Sequence, residues 1–180
     1  MTDRKKQIIA AATKLFLEEG VNVSTASIAK VAGVSNGSLF NTFPTKQILI
    51  DAIYKDAKVS MFASAPCFGD DLYDRSNLRA NWDGYLNWAK TYPETRRVMH
   101  LLLDSGLASA ETQAEVFEVA APYTAWTQKA LDQGVIRGPS VSFIGQLIFF
   151  HLDLVINENL DRAGEDLAFE MLCTSIGLTQ

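Results

Sequence analysis

Residues 27–45 read SIAKVAGVSNGSLFNTFPT, and the five at the centre, GVSNG (Gly33 to Gly37), allow two incompatible readings. The pattern G-x-S-x-G is the sharp turn that lifts a nucleophilic serine above the end of a strand in α/β-hydrolases. A glycine followed by an apolar residue and a serine is also the tight turn between two short helices. A nucleophile elbow needs a buried strand before it, whereas Gly33 follows ASIAKVA, alanine-rich and helical in period. Asp104, Asp153, His100 and His151 supply partner types for a triad, but no recognisable strand supplies the sheet. The helical reading accounts for more residues. Two short helices joined by a turn containing glycine make a helix-turn-helix. Ala29 is small enough for a close helix contact, Gly33 takes a positive φ freely, and Val34 plugs the shared core. The Ser35 hydroxyl then accepts from a free N–H at the start of the next helix. Ser35 is a cap, not an attacking group.

The flanking sequence extends this pattern. Ile8, Ala12, Leu15 and Phe16 give an amphipathic helix over 4–19, stopped by Gly20. Ser24 or Thr25 caps a second helix with Ile28, Val31 and Ala32 inward. Leu39, Phe40 and Phe43 are expected on the inner face of the third, which Pro44 closes. Thr45 caps a fourth helix running from Lys46 toward Ala63, and residues 64–75 form a connector. Helices follow over 76–91, from Pro93 to about Leu107, over 109–133 with a kink or interruption at Pro122, over 140–159 and over 165–177. Apart from VNV at 21–23, no strand-like alternation occurs. The expected fold class is all-α, with about nine helices.

A content of 48% hydrophobic and 21% charged residues is that of an ordinary globular chain. The net charge of −5 conceals an asymmetry: residues 1–60 hold eight Lys/Arg against five Asp/Glu, and the remainder is acidic. A basic N-terminal part suggests an anionic partner for that part alone. The first twenty residues lack a signal-peptide core, and the apolar run Val141 to Ile156 is interrupted and too short for a bilayer. A cytoplasmic protein with no membrane partner is expected. Cys67 and Cys173 read as unpaired thiols. Neither paired carboxylates with a histidine nor a metal-ligand set stands out, so no enzyme, cofactor or metal is expected.

Residues 8–54, from IIAAATKLFLEEG through TASIAKVAGVSNGSLFNTFPTKQILIDAIY, resemble the DNA-binding domain of the tetracycline-repressor (TetR) family of bacterial regulators. The resemblance implies a DNA-binding domain over 1–46 and a helical effector-binding and dimerisation domain over 47–180. It also implies a homodimer on a palindromic operator, released by a small molecule. The second helix of a helix-turn-helix enters the major groove. The base-facing candidates are therefore Asn36, Gly37, Ser38, Asn41 and Thr42, with Ser35 at the helix start. Thr25, Ser27 and Lys46 are placed to meet phosphate, as are Arg4, Lys5 and Lys6 on an N-terminal arm. Two positions depart from the family pattern: Phe40 stands where Tyr is frequent, and Thr42 where His or Tyr is common.

Beyond residue 63 the resemblance is architectural. Trp82, Tyr85 and Trp88 share a helical face, and Phe117, Tyr123 and Trp126 follow; each set serves a plain core as well as a ligand box. A pocket of Trp and Tyr with a carboxylate suits an aromatic or cationic effector. Tyr54 and Lys58 on the fourth helix are candidates to carry its effect to the DNA-binding domain. The segment VSFIGQLIFFHLDLVI is apolar nearly all round and must be buried on most faces. Leu147, Phe150, His151 and Leu154, with Leu167, Met171 and Leu172, are the expected dimer contacts; His100 and His151 are core or interface residues. The competing reading is a DNA-organising protein without an effector, which a tightly packed C-terminal core would favour.

Overall fold

Nine helices and no strand occur among the described residues of this computed structural model, which are 3–66, 68 and 72–178. They are α1 (Asp3–Glu19), α2 (Thr25–Val31), α3 (Asn36–Thr42), α4 (Lys46–Phe62), α5 (Arg75–Thr91), α6 (Pro93–Asp104), α7 (Ala110–Asp132), α8 (Val141–Asn157) and α9 (Arg162–Ser175). Short polar side chains set where they begin. Ser24, Ser35, Ser140 and Asp161 cap α2, α3, α8 and α9, each accepting from the backbone N–H three residues on. Thr45 does the same for Ile48 at the start of α4, at 3.2 Å. Each cap satisfies one of the amides that a helix leaves without an internal partner. Gly33 ends α2 at φ +67°, and the Val34 amide reaches back to the Ala29 carbonyl at 3.0 Å. Only a residue tolerant of the left-handed region closes the turn so tightly. Phe43 is extended, as a residue before proline must be.

The chain divides into two compact units: Met1–Ser60 with Tyr92–Phe117, and Met61–Thr91 with Glu118–Gln180. This division differs from the expected boundary after residue 46. The reason is α6, which packs on α1 and brings residues 92–117 into the N-terminal unit. That unit buries Ile8, Ala12 and Phe16 of α1 with Ile28, Leu39, Phe43, Leu49, Val98 and Leu102. The Gln47 amide donates to the Leu107 carbonyl at 2.8 Å, and the Asp51 carboxylate accepts from the Ser109 amide at 2.8 Å. These bonds hold the start of α4 to the α6–α7 turn.

In the second unit α5 packs on α8 and α9. Leu78, Trp82, Ile144, Ile148, Leu152, Phe169 and Leu172 form its interior. Along the α5–α9 seam Arg79 pairs with Asp83 at 2.9 Å and with Asp166 at 2.5 Å, and Arg162 reaches Asp83 at 3.1 Å. α7 continues through Pro122, so of the kink or interruption that the sequence suggested, the interruption does not occur. Pro122 is exposed, so its ring and its missing N–H fall on the solvent side. No helix among the described residues is long and apolar enough to cross a membrane.

Candidate nucleic-acid interface and C-terminal cavity

The N-terminal unit presents α3 as an uncharged helix, NGSLFNT. Leu39 is buried within it and Phe43 just beyond, four residues apart and therefore on one face. Phe40 lies off that face and is 44% exposed, which corrects the expectation that it points inward. Ser35, Asn36, Gly37 and Asn41 are exposed with it. Ser38 and Thr42 are half-buried, and their hydroxyls have internal partners. The Ser35 hydroxyl donates to Ser38 Oγ at 3.1 Å while accepting the Ser38 amide at 3.1 Å. Thr42 Oγ1 donates to the Ser38 carbonyl at 2.9 Å. A Cβ at Gly37 would meet nothing nearer than Ser35 Oγ at 3.9 Å.

Thr25 and Ser27 are half-exposed at the start of α2, where Ser27 Oγ lies 2.9 Å from the capping Ser24 Oγ. Lys46 is committed internally. Its ammonium donates to the Val23 carbonyl at 2.7 Å and stands 6.0 Å from the centre of the Phe16 ring. Arg4, Lys5 and Lys6 form the first turn of α1, not an arm ahead of it, and Lys5 lies over the Phe43 ring.

The second unit encloses a cavity lined by Met61, Phe62, Ser64 and Ala65, by Leu78, Asn81, Trp82 and Tyr85, and by Tyr123, Ile148, Phe149 and Leu152. Its volume is about 40 Å³, or about 490 Å³ when its crevices and open mouth are counted. Gly84 shapes one wall, since a Cβ there would lie 2.2 Å from the Ser64 carbonyl oxygen. Glycine at 84 thus lets the turn that follows α4 lie directly against α5. The walls carry no charged side chain. Tyr85 donates its hydroxyl to Asp153 at 3.1 Å, and burial pushes the Tyr123 phenol far above its ordinary pKa.

Of the expected ligand residues, the cavity gathers Trp82, Tyr85 and Tyr123. Trp88 and Trp126 are buried but do not line it, and Trp126 stacks on Tyr73 with ring centres 4.0 Å apart. Phe117 is 63% exposed. Tyr54 and Lys58 belong to the N-terminal unit, where the ammonium lies over its neighbour's ring. Met61, Leu78, Ile148 and Leu152 are further wall residues. Nothing in the sequence set them apart from other apolar core positions.

The expected dimer residues also separate. Phe150, Leu154, Leu167 and Met171 are exposed, with Phe150 at 65% and Leu167 at 62%. Leu147 and His151 are half-exposed, and the His151 ring nitrogen Nδ1 lies 2.9 Å from the Leu147 carbonyl. Leu172 is 0% exposed and belongs to the core, a correction to its expected place. On α9 it shares the inner face with Phe169 and Cys173, which the buried cap residue Ile176 continues, away from Leu167 and Met171. No group of three or more His, Cys, Asp or Glu able to hold a metal occurs among the described residues.

The helix-turn-helix carries the comparison with known proteins. Residues 8–53 match the family model described as bacterial regulatory proteins, tetR family. Residues 8–53 thus carry a helix-turn-helix domain of the TetR-family kind. A curated relative, the uncharacterized HTH-type transcriptional regulator YhgD of Bacillus subtilis, is 42% identical over 53 residues, 29% of this chain and 28% of the relative. The nucleoid occlusion factor SlmA of Marinomonas is 27% identical over 112 residues, 62% of this chain and 55% of the relative. The chain thus spans about a quarter and about half the length of these two curated relatives. Among solved structures, a putative TetR-family regulator from Shewanella is similar with a TM-score of 0.84 at 17% identity, covering 97% of this chain and 98% of that one. Another TetR-family regulator, from Marinobacter aquaeolei, gives 0.83 at 19% identity, covering 96% and 95%. These likenesses extend the TetR fold over both units.

Proposed function

We propose that this chain acts as a homodimeric transcriptional regulator of the TetR family, a repressor that a small molecule releases from a palindromic operator. The observation that carries the reading is the exposed polar edge of α3. Asn36, Gly37 and Asn41 stand out from a capped helix whose apolar face is held by Leu39 and Phe43. Asn pairs bidentately with adenine, and an apolar group such as Phe40 can pack on a thymine methyl. Lacking Arg and Lys, α3 leaves the phosphate contacts to its neighbours: Arg4 and Lys6 on α1, Lys30 on α2 and the amides at the start of α2. The apolar stripe of α8 and α9 supports pairing of two chains, which an inverted-repeat operator requires.

The competing reading is a DNA-organising protein without an effector. It draws on the small volume of the cavity and on the likeness to a protein named a nucleoid occlusion factor. The test is to sequence the genomic fragments that the purified protein retains. A regulator enriches a few inverted repeats, with half-sites about 34–36 Å or a multiple apart. Broad retention without a shared motif would overturn the regulatory reading.

A further inference from the structure

Trp82 stands apart in the C-terminal unit. It is 1% exposed, it lines the cavity, and its indole Nε1–H finds no acceptor among the described residues. A buried donor without a partner costs on the order of 1–3 kcal/mol, so a native core rarely holds one without a use for it. The ring is held by an edge contact with Phe169, with centres 5.5 Å apart, so the N–H is not free to swing out to water. Around it the walls are mostly aromatic and aliphatic, with Ser64 and Asn81 as neutral polar members, and they offer no countercharge to an ion. An ion placed there would lose its hydration for nothing in return. The Asp153 carboxylate, which is not a lining group, accepts from Tyr85. Tyr123 stays a neutral phenol.

We infer that the cavity takes an uncharged, flat molecule about one ring in size that bears a single hydrogen-bond acceptor, and that Trp82 Nε1–H anchors that acceptor. This rests on the proposed effector response of the chain and names its chemical class; it replaces the cationic option that the sequence left open. The size is an upper limit: at about 40 Å³ the cavity is well under the roughly 150 Å³ that takes up benzene, so even one ring must draw on space at the open mouth. Specificity follows from the donor: a site built around a buried N–H discriminates against a ligand that leaves it unpaired.

Four probes of one size separate the possibilities: acetophenone (neutral, with a carbonyl), ethylbenzene (neutral, without an acceptor), benzoate and phenethylammonium. Calorimetry on the DNA-free protein should show acetophenone binding about ten-fold more tightly than ethylbenzene, the value of one buried hydrogen bond. The two ions should show no heat of binding. Trp82→Phe should erase the acetophenone advantage while ethylbenzene affinity stays within about two-fold. Should that variant fail to fold, the wild-type protein still decides. Its Trp82 indole N–H resonance should move downfield with acetophenone and stay with ethylbenzene. Tighter binding of either ion, no acetophenone binding up to its solubility, or an unmoved indole resonance would overturn the inference.

Operator affinity measured with the same compounds separates this inference from the functional reading. Acetophenone that binds without changing operator affinity leaves the cavity chemistry standing and removes the effector role. An ion that releases operator does the reverse.

Discussion

Gly37 is exposed, helical and unconfined, and nothing inside the unit asks for a glycine there. Glycine within a helix costs about 0.5–1 kcal/mol relative to alanine, so Gly37→Ala should stabilise the N-terminal unit by that amount in urea unfolding. If α3 lies in the groove as proposed, the added methyl meets DNA, and operator affinity should fall while stability rises. Gains in both would show that Gly37 faces away from DNA. Asn41 makes the complementary case. Asn41→Ala should cost on the order of 1–3 kcal/mol per half-site and relax preference at one base pair, leaving stability unchanged. A randomised operator library would read this directly. Unchanged preference at every position would pass the reading role to Asn36. Ser38 and Thr42 are weaker candidates than the sequence suggested, because their hydroxyls already have protein partners.

At the scale of elements, caps and stops were legible because each is set by one or two residues. Gly33, Ser35, Pro44 and Thr45 fix the turns around α3 with little help from tertiary structure. Faces were less legible. Three apolar residues at 39, 40 and 43 suggest one buried stripe, yet 39 and 40 stand 100° apart, and a face centred on 39 leaves 40 in solvent. Core and cavity look alike for a similar reason. Trp82, Trp88 and Trp126 are all buried, and periodicity registers burial without registering whether the neighbour is an atom or a space. Leu172 failed as a dimer residue because α9 is apolar on two sides, one inward through Phe169 and one outward through Leu167 and Met171. The outward side yields a prediction. Phe150→Asp places a charge on the α8 stripe at a position already mostly solvated, so the fold of a single chain should persist. If that stripe is the dimer interface, sedimentation should show a monomer at concentrations where the parent is a dimer. Operator affinity should drop in step, because each chain then grips one half-site alone. An unchanged dimer would move the interface elsewhere.

For the whole molecule, the proposed function ties DNA and effector by one free energy, whatever path joins their sites. If a saturating effector lowers operator affinity by some factor, operator must lower effector affinity by the same factor. Couplings of 1–3 kcal/mol are usual, which corresponds to about 5–150-fold. An anionic ligand would make the comparison demanding, since the DNA charge would disfavour it even without a conformational change. A neutral ligand avoids this, because its affinity responds to packing and hydrogen bonding and is nearly blind to the DNA charge. Titrating acetophenone into free protein and into the operator complex, at two salt concentrations, is therefore the measurement to make. The expected outcome is weaker binding to the complex, by the factor with which acetophenone weakens operator binding, with the ratio unchanged by salt. A ratio that collapses at high salt would mean that the coupling is electrostatic and that the cavity does not switch between two states. Equal affinities for free and bound protein would mean no coupling at all, and would leave a DNA-organising protein with an unused cavity.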